Sequence, residues 1–129
     1  MLVRDGMSSE VLVIGPAHTV HEAAQRMAAR KVGAVVVHDP ENDGVGILTE
    51  RDVLEAFAAA GEGAGGEPVA EHLTSDLVFA APDWPLERAA AAMMAGGFRH
   101  LVVLDAGEVA GILSVRDIVR CWSDAKTSA

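Results

Sequence analysis

Apolar and polar positions along this chain fall into strand-like and helix-like runs, and the order of those runs repeats. A short apolar run, Val11 to Ile14, is followed by Pro16 and then by Thr19-Val20-His21-Glu22. That tetrapeptide has the form of a capping box and predicts a helix reaching about Arg30. The β-branched run Val32 to Val37 predicts a strand. Turn residues Asn42-Asp43-Gly44 follow, and Val45 to Leu48 predicts the second strand of a hairpin. A helix is then expected from about Thr49 to Ala60. The same succession returns with Leu77 to Ala80, Pro82, and a helix whose first turn holds Pro85, a position proline tolerates. Leu101 to Leu104, a turn at Ala106-Gly107, Val109 to Leu113 and a helix from about Ser114 to Ser123 complete it.

The residues repeat as well as the pattern. Gly46-Ile47-Leu48-Thr49-Glu50-Arg51-Asp52-Val53 aligns with Gly111-Ile112-Leu113-Ser114-Val115-Arg116-Asp117-Ile118 at an offset of 65 residues. Upstream the offset is 66, which places Asp39 on Asp105, Val36-Val37 on Val102-Val103, Met27 on Met93, Pro16 on Pro82 and Val3 on Val69. One extra residue in the turn Pro40 to Val45 accounts for the change. Residues 3–57 and 69–122 thus read as two copies of a strand-helix-strand-strand-helix unit. The stretch Gly61 to Pro68 reads as a flexible linker. The division expected is a first repeat at 1–62, a glycine-rich linker at 63–68, a second repeat at 69–124 and a frayed tail at 125–129. Neither copy is large enough for a good core alone, so the expected α+β fold packs the two together with pseudo-two-fold symmetry.

Composition narrows the function. A chain of 129 residues fits one compact domain or two small repeats, and 50% hydrophobic residues exclude disorder. With 19 acidic against 10 basic residues the net charge is −9, which argues against nucleic acid and against an anionic membrane surface. Cys121 is the only cysteine, so neither an intrachain disulfide nor a thiolate metal cluster can form, and a reducing compartment fits. Asp5 and Glu10 flank the first apolar stretch, unlike a signal peptide. The apolar run Ala89 to Phe98 is about half the roughly 20 residues of a membrane span. A soluble cytoplasmic protein is expected.

The repeated Gly-Ile-Leu-[Thr/Ser]-x-Arg-Asp carries the chemistry. Thr49 or Ser114 can cap the following helix, with Asp52 or Asp117 three residues on. A capping box alone would account for a single copy. A helix start also favours anions, so the hydroxyl can hold a phosphate while the carboxylate accepts the two hydroxyls of a ribose. Two copies, each after the same kind of hairpin, make the second reading much more specific.

These residues, with Arg99-His100-Leu101-Val102-Val103-Leu104-Asp105, resemble a pair of cystathionine-β-synthase-type (CBS) domains, the Bateman module. The resemblance covers nearly the whole chain. It implies clefts between the two repeats that hold AMP, ADP, ATP, S-adenosylmethionine or NAD(H). It further implies that the motif Asp binds ribose, while the Ser/Thr and basic residues before the middle strand meet phosphate. Carried onto this sequence, Arg99, His100, Ser114, Arg116 and Asp117 form a complete phosphate-and-ribose site. The adenine is then expected against the opening strand of the first copy, around Leu12. The first copy keeps Thr49 and Asp52 but has Gly33 and Ala34 where the second has Arg99 and His100, leaving only Lys31 and Arg51 nearby. One good site is expected, around Asp117. Arginine suits the task because its planar fork grips phosphate bidentately.

Other residues suggest less. His18 and His21 with Glu22 approach a metal-ligand spacing, but His38, His72 and His100 are scattered and no metal is expected. Cys121 is expected to pack as a small apolar residue, having no activating base nearby in sequence. No nucleophile elbow, P-loop or dinucleotide fingerprint is present, and no enzyme activity is expected. Ala89-Ala90-Ala91-Ala92-Met93-Met94-Ala95 is apolar on every face, which points to a subunit interface, and the resemblance implies a disc-like homodimer formed through helices. The expected function is a homodimeric, ligand-sensing regulatory module acting on an unknown effector protein in trans. The alternative is a ligand-free dimerisation or scaffold module.

Overall fold

The computed structural model describes residues 1–41 and 44–128, with side chains to residue 124. The chain forms two compact units, one of residues 12–77 and one of residues 1–11 with 78–129. Each is built on a three-stranded mixed sheet.

In the first unit β1 (Val13–Ile14) runs parallel to β2 (Ala34–Asp39), which pairs antiparallel with β3 (Gly44–Thr49). The helix α2 (Val20–Arg30) connects β1 to β2, and α3 (Glu50–Ala60) follows β3. A short helix, α1 (Val3–Gly6), opens the second unit. There β4 (Phe79–Ala80) runs parallel to β5 (His100–Asp105), which pairs antiparallel with β6 (Glu108–Ser114). Between them lies α4 (Leu86–Gly96), and α5 (Val115–Ser128) follows β6. The repeated strand-helix-strand-strand-helix order is therefore the one expected. Ala106 and Gly107, both at positive φ, form the β5–β6 turn. Asn42 and Asp43, expected in the corresponding turn of the first unit, lie outside the described residues. So does residue 129 of the expected tail, while α5 runs on as helix to Ser128 instead of ending near Ser123.

The middle strands are buried on both faces, with Val35, Val36 and Val37 in one unit and Leu101, Val102 and Val103 in the other. Ile14, Val20, Ala23, Met27, Leu48 and Val69 complete the first core, while Val3, Leu86, Ala89, Met93, Leu113, Ile118 and Cys121 join the second. Cys121 thus packs as a core residue. The compact units are not the linear repeats, because the segment leading each repeat packs in the unit of the other. Val3 lies in the second core and donates its N–H to the Trp84 carbonyl; Val69 lies in the first and donates to His18. Beyond these anchors, Ser8 bridges Ile112 of β6 and Thr74 bridges Ile47 of β3.

That exchange accounts for the first residue of the repeated motif. A Cβ on Gly46 would stand 2.8 Å from the Leu73 side chain and 3.1 Å from the Thr74 carbonyl oxygen. One on Gly111 would stand 2.6 Å from the Ser8 carbonyl oxygen and 2.9 Å from Met7 Sδ. Glycine lets the leading segment approach the sheet edge. The glycine-rich stretch differs from the expected flexible linker: Gly61–Gly66 is a 3-10 helix with Ala64 fully buried. One buried methyl group and the turn's own backbone bonds anchor a composition that otherwise reads as coil.

The capping box opening α2 is present in full. Thr19 Oγ1 accepts the Glu22 N–H at 3.1 Å, and Glu22 accepts the Thr19 N–H at 3.3 Å. His18 Nδ1 lies 3.0 Å from Glu22, so this histidine serves the helix start. The His18 hydrogen bond, then those from Thr19, hold the Glu22 carboxyl below its ordinary value of 4.5. A depressed carboxyl pKa stabilises the fold above the unfolded value and ceases to do so as pH falls through the folded value. Glu22→Gln should therefore lower the urea midpoint at pH 7, and the gap to wild type should close as pH falls below 4.5 and through the depressed folded-state value. A gap that does not narrow with acidification would contradict this origin.

Candidate functional site

The repeated motif lies at equivalent strand-to-helix junctions, β3–α3 and β6–α5. At the second, Ser114 N–H donates to Asp117 Oδ2 at 2.8 Å and Asp117 N–H donates to Ser114 Oγ at 3.0 Å. At the first, Thr49 N–H donates to Asp52 Oδ2 at 2.9 Å and Asp52 N–H to Thr49 Oγ1 at 3.2 Å. Both Asp residues therefore cap their helix through Oδ2. Only Oδ1 and the remaining lone pairs are left for other partners.

Sheet register brings the basic residues to one junction. His100 pairs with Ser114 across β5 and β6, and the Arg99 carbonyl accepts the Val115 N–H at 2.9 Å. Arg99, His100, Ser114, Arg116 and Asp117 thus gather at the start of α5. Arg99 and Arg116 are exposed, while His100, Ser114 and Asp117 are half-buried. In the first unit Ala34 pairs with Thr49 and the Gly33 carbonyl accepts the Glu50 N–H at 3.0 Å. The backbone is the same and Arg51 stands where Arg116 does, but Gly33 and Ala34 take the places of Arg99 and His100. Leu12, Thr49 and Asp52 belong to this unit, where Leu12 packs on the core and its carbonyl accepts the Val36 N–H.

The hydroxyls differ too. Thr49 Oγ1 donates to Asp52 Oδ2 at 3.1 Å, closing its bond on the neighbouring carboxylate. Ser114 Oγ accepts the Asp117 N–H, and among the described residues no bond takes its own hydrogen. Helix-start N–H groups are fewer than the sequence suggests, since carbonyls of Gly33 and Arg99 consume the first of each helix. At the second junction, positive charge for an anion comes chiefly from side chains.

Sequence reading passed over three features. The first is Arg120, one turn beyond Asp117, whose guanidinium reaches Asp117 Oδ1 at 3.1 Å. The second is the approach of Thr74 to Asp52, Oγ1 to Oδ1 at 3.4 Å, which joins residues with no local sequence relation. The third is the gathering of Glu67, Glu71 and His72, whose donor atoms lie within 4.8 Å of one another. There His72 Nε2 and Glu67 Oε1 are 3.1 Å apart, a bond that fastens the segment leading the second repeat.

The family model for the CBS domain matches this chain twice, at residues 3–59 and 69–124. The chain belongs to the CBS-domain family. The tandem CBS pair is a regulatory module. A 17.7 kDa protein of Acidianus ambivalens is 36% identical over 121 residues, covering 93% of this chain and 72% of its own length. The CBS-domain-containing protein ATU1752 of Agrobacterium tumefaciens superposes with a TM-score of 0.88 at 33% identity, covering 95% of this chain and 99% of that one. The CBS domain pair of protein MJ0100, solved with 5′-methylthioadenosine and S-adenosyl-L-methionine, has a TM-score of 0.85 at 24% identity, over 97% of this chain and 98% of that one. A hexameric CBS-CP12 protein from bloom-forming cyanobacteria has a TM-score of 0.86 at 28% identity, over 92% of this chain and 69% of its own. Against several CBS proteins of Arabidopsis thaliana, the chain spans only about a fifth (20–21%) of their length.

No helix among the described residues is long and apolar enough to cross a membrane. The alanine-rich α4 is not buried all round within its unit. Leu86, Ala89 and Met93 face the core, while Met94 is 85% exposed. Larger apolar side chains stand outward on the last helix of each unit: Leu54 and Phe57 on α3, and Val115, Val119 and Trp122 on α5. Leu54 and Phe57 align with Val119 and Trp122 at the motif's offset of 65 residues.

Proposed function

We propose that this CBS pair is a sensor of an adenosine-containing ligand of the AMP, ADP or ATP kind, with its principal site at the second repeat's junction. The observation that carries the reading is the gathering of Arg99, His100, Ser114, Arg116 and Asp117 at the start of α5. Asp117 supplies acceptors for a ribose diol, Ser114 a hydroxyl donor for phosphate, and the two arginines and His100 the counter-charge. On a chain of net charge −9 that counter-charge must be local, because interactions between exposed charges fade beyond roughly 8 Å at physiological salt. The Asp52 junction keeps the carboxylate, has its one motif arginine, Arg51, paired with Glu55, lacks counterparts of Arg99 and His100, and closes its hydroxyl on Asp52. It is the weaker site. That the same fold in MJ0100 holds adenosine derivatives supports the class of ligand.

A homodimer formed through the outward apolar faces of α3, α4 and α5 completes the module, and ligand binding shifts it between arrangements by differential affinity. The same apolar faces favour a second reading, a ligand-free dimerisation scaffold.

The test is a thermal-shift screen of nucleotide-stripped protein against AMP, ADP, ATP, S-adenosylmethionine and NADH. A ligand at 100 times its dissociation constant stabilises the fold by about 2.7 kcal/mol, well within reach of a melting curve. The expected result is a shift with at least one of them. A folded dimer that responds to none would leave the scaffold reading.

A further inference from the structure

We propose that Arg120 is a positioning residue of the Asp117 site and ties ligand capture there to the chain's leading segment, residues 2–8. This rests on the reading of Asp117 as a ribose acceptor. One guanidinium nitrogen, Nη2, donates both to Asp117 Oδ1 and to the Gly6 carbonyl, each at 3.1 Å. It joins the motif carboxylate to the end of α1. Gly6 lies directly on α5, where an added Cβ would meet Cys121 Sγ at 2.7 Å, so this carbonyl is held in place by close packing. The segment then continues to Ser8, which exchanges backbone hydrogen bonds with Ile112 of β6 at 2.9 and 3.0 Å.

A carboxylate offers about four lone-pair sites. In Asp117 the Ser114 N–H takes one on Oδ2 and Arg120 takes one on Oδ1, fixing the plane of the group. One acceptor remains on each oxygen, which matches the two hydroxyls of a ribose. Without Arg120 only Oδ2 is anchored, and the carboxylate turns about that bond.

The first unit shows the same link made differently. Asp52 Oδ1 faces Thr74 Oγ1 of the other leading segment at 3.4 Å, and the position equivalent to Arg120 is Glu55, which pairs with Arg51 at 3.1 Å. In both units the outer oxygen of the motif Asp is tied to the leading segment. Only the second uses a cation, which also adds positive charge where a nucleotide is proposed.

The experiment has a ligand-free arm and a ligand arm. In ligand-free protein, amide hydrogen exchange at Met7 and Ser8 should accelerate about three- to fivefold in Arg120→Ala and in Asp117→Ala, and no further in the double variant. Additive acceleration, or none, overturns the tie. In the second arm AMP and 2′-deoxy-AMP are titrated into wild type, Arg120→Lys and Arg120→Ala. Wild type should prefer the ribonucleotide on the order of tenfold, the strength of one hydrogen bond to a charged group. The preference should fall to about twofold in Arg120→Ala and recover in large part in Arg120→Lys. An unchanged preference in Arg120→Ala overturns the positioning role. Wild type that binds neither nucleotide, with the exchange result as predicted, contradicts AMP as the ligand of this site and upholds the tie.

Discussion

Truncation of Leu113 to alanine should lower the free energy of unfolding by about 2–5 kcal/mol. The side chain is fully buried among Val3, Leu86, Met93, Leu101 and Ile118, contributed by α1, α4, β5 and α5. Removing it costs the transfer energy of the lost methyl groups and leaves a void those elements close only in part. Glu62→Ala, at an exposed polar side chain outside those elements, should stay within about 0.5 kcal/mol. Urea unfolding of both variants checks this, with the denaturant slope unchanged. Equal midpoints would mean that the core is not where the structure places it. The comparison also divides the repeated motif by role: leucine fills the core, glycine admits the leading segment, and the hydroxyl and acid are left for the junction.

Replacing both Val119 and Trp122 with aspartate should convert the proposed dimer to monomer. These residues stand outward on one face of α5, 55% and 43% exposed, with Val115 a turn before them. Tryptophan at the centre of an interface typically carries 2 kcal/mol or more, and a buried unpaired carboxylate adds a desolvation cost. Together the two substitutions should raise the dissociation constant about a thousandfold or more. Sedimentation at micromolar concentration would show a dimer for wild type and a monomer for the variant. Identical sedimentation would place the interface elsewhere. The circular dichroism spectrum should stay native, since neither side chain belongs to the core.

What the sequence reveals follows from the range of the interactions. The box Thr19–Glu22, the hairpins and the Thr49–Asp52 and Ser114–Asp117 caps depend on residues within four positions of one another, and all are legible. The equivalence of the two junctions is legible too, because the motif is copied intact. The pairing of Ser8 with Ile112 and Thr74 with Ile47 is not, since an isolated bridge leaves no periodicity in either partner. The exchanged leading segments are thus visible only in the fold. Ala89 to Ala95 does not tell which side of its helix is outward, because alanine fits exposed and buried helical positions alike. A better signal of the outward face was present at Val115, Val119 and Trp122, spaced as one helical stripe. Arg120 shows the same limit: its spacing from Asp117 suggests a local ion pair, but nothing in the sequence shows its second bond to Gly6.

The second junction, at Asp117, is the one expected to hold the ligand. Calorimetric titration of nucleotide-stripped wild type, Asp52→Ala and Asp117→Ala, each with the compound giving the largest thermal shift, measures this directly. The predicted result is saturable binding in wild type, retained in Asp52→Ala and lost in Asp117→Ala while the fold is kept. Undiminished binding in Asp117→Ala would contradict the assignment of the site to the second repeat.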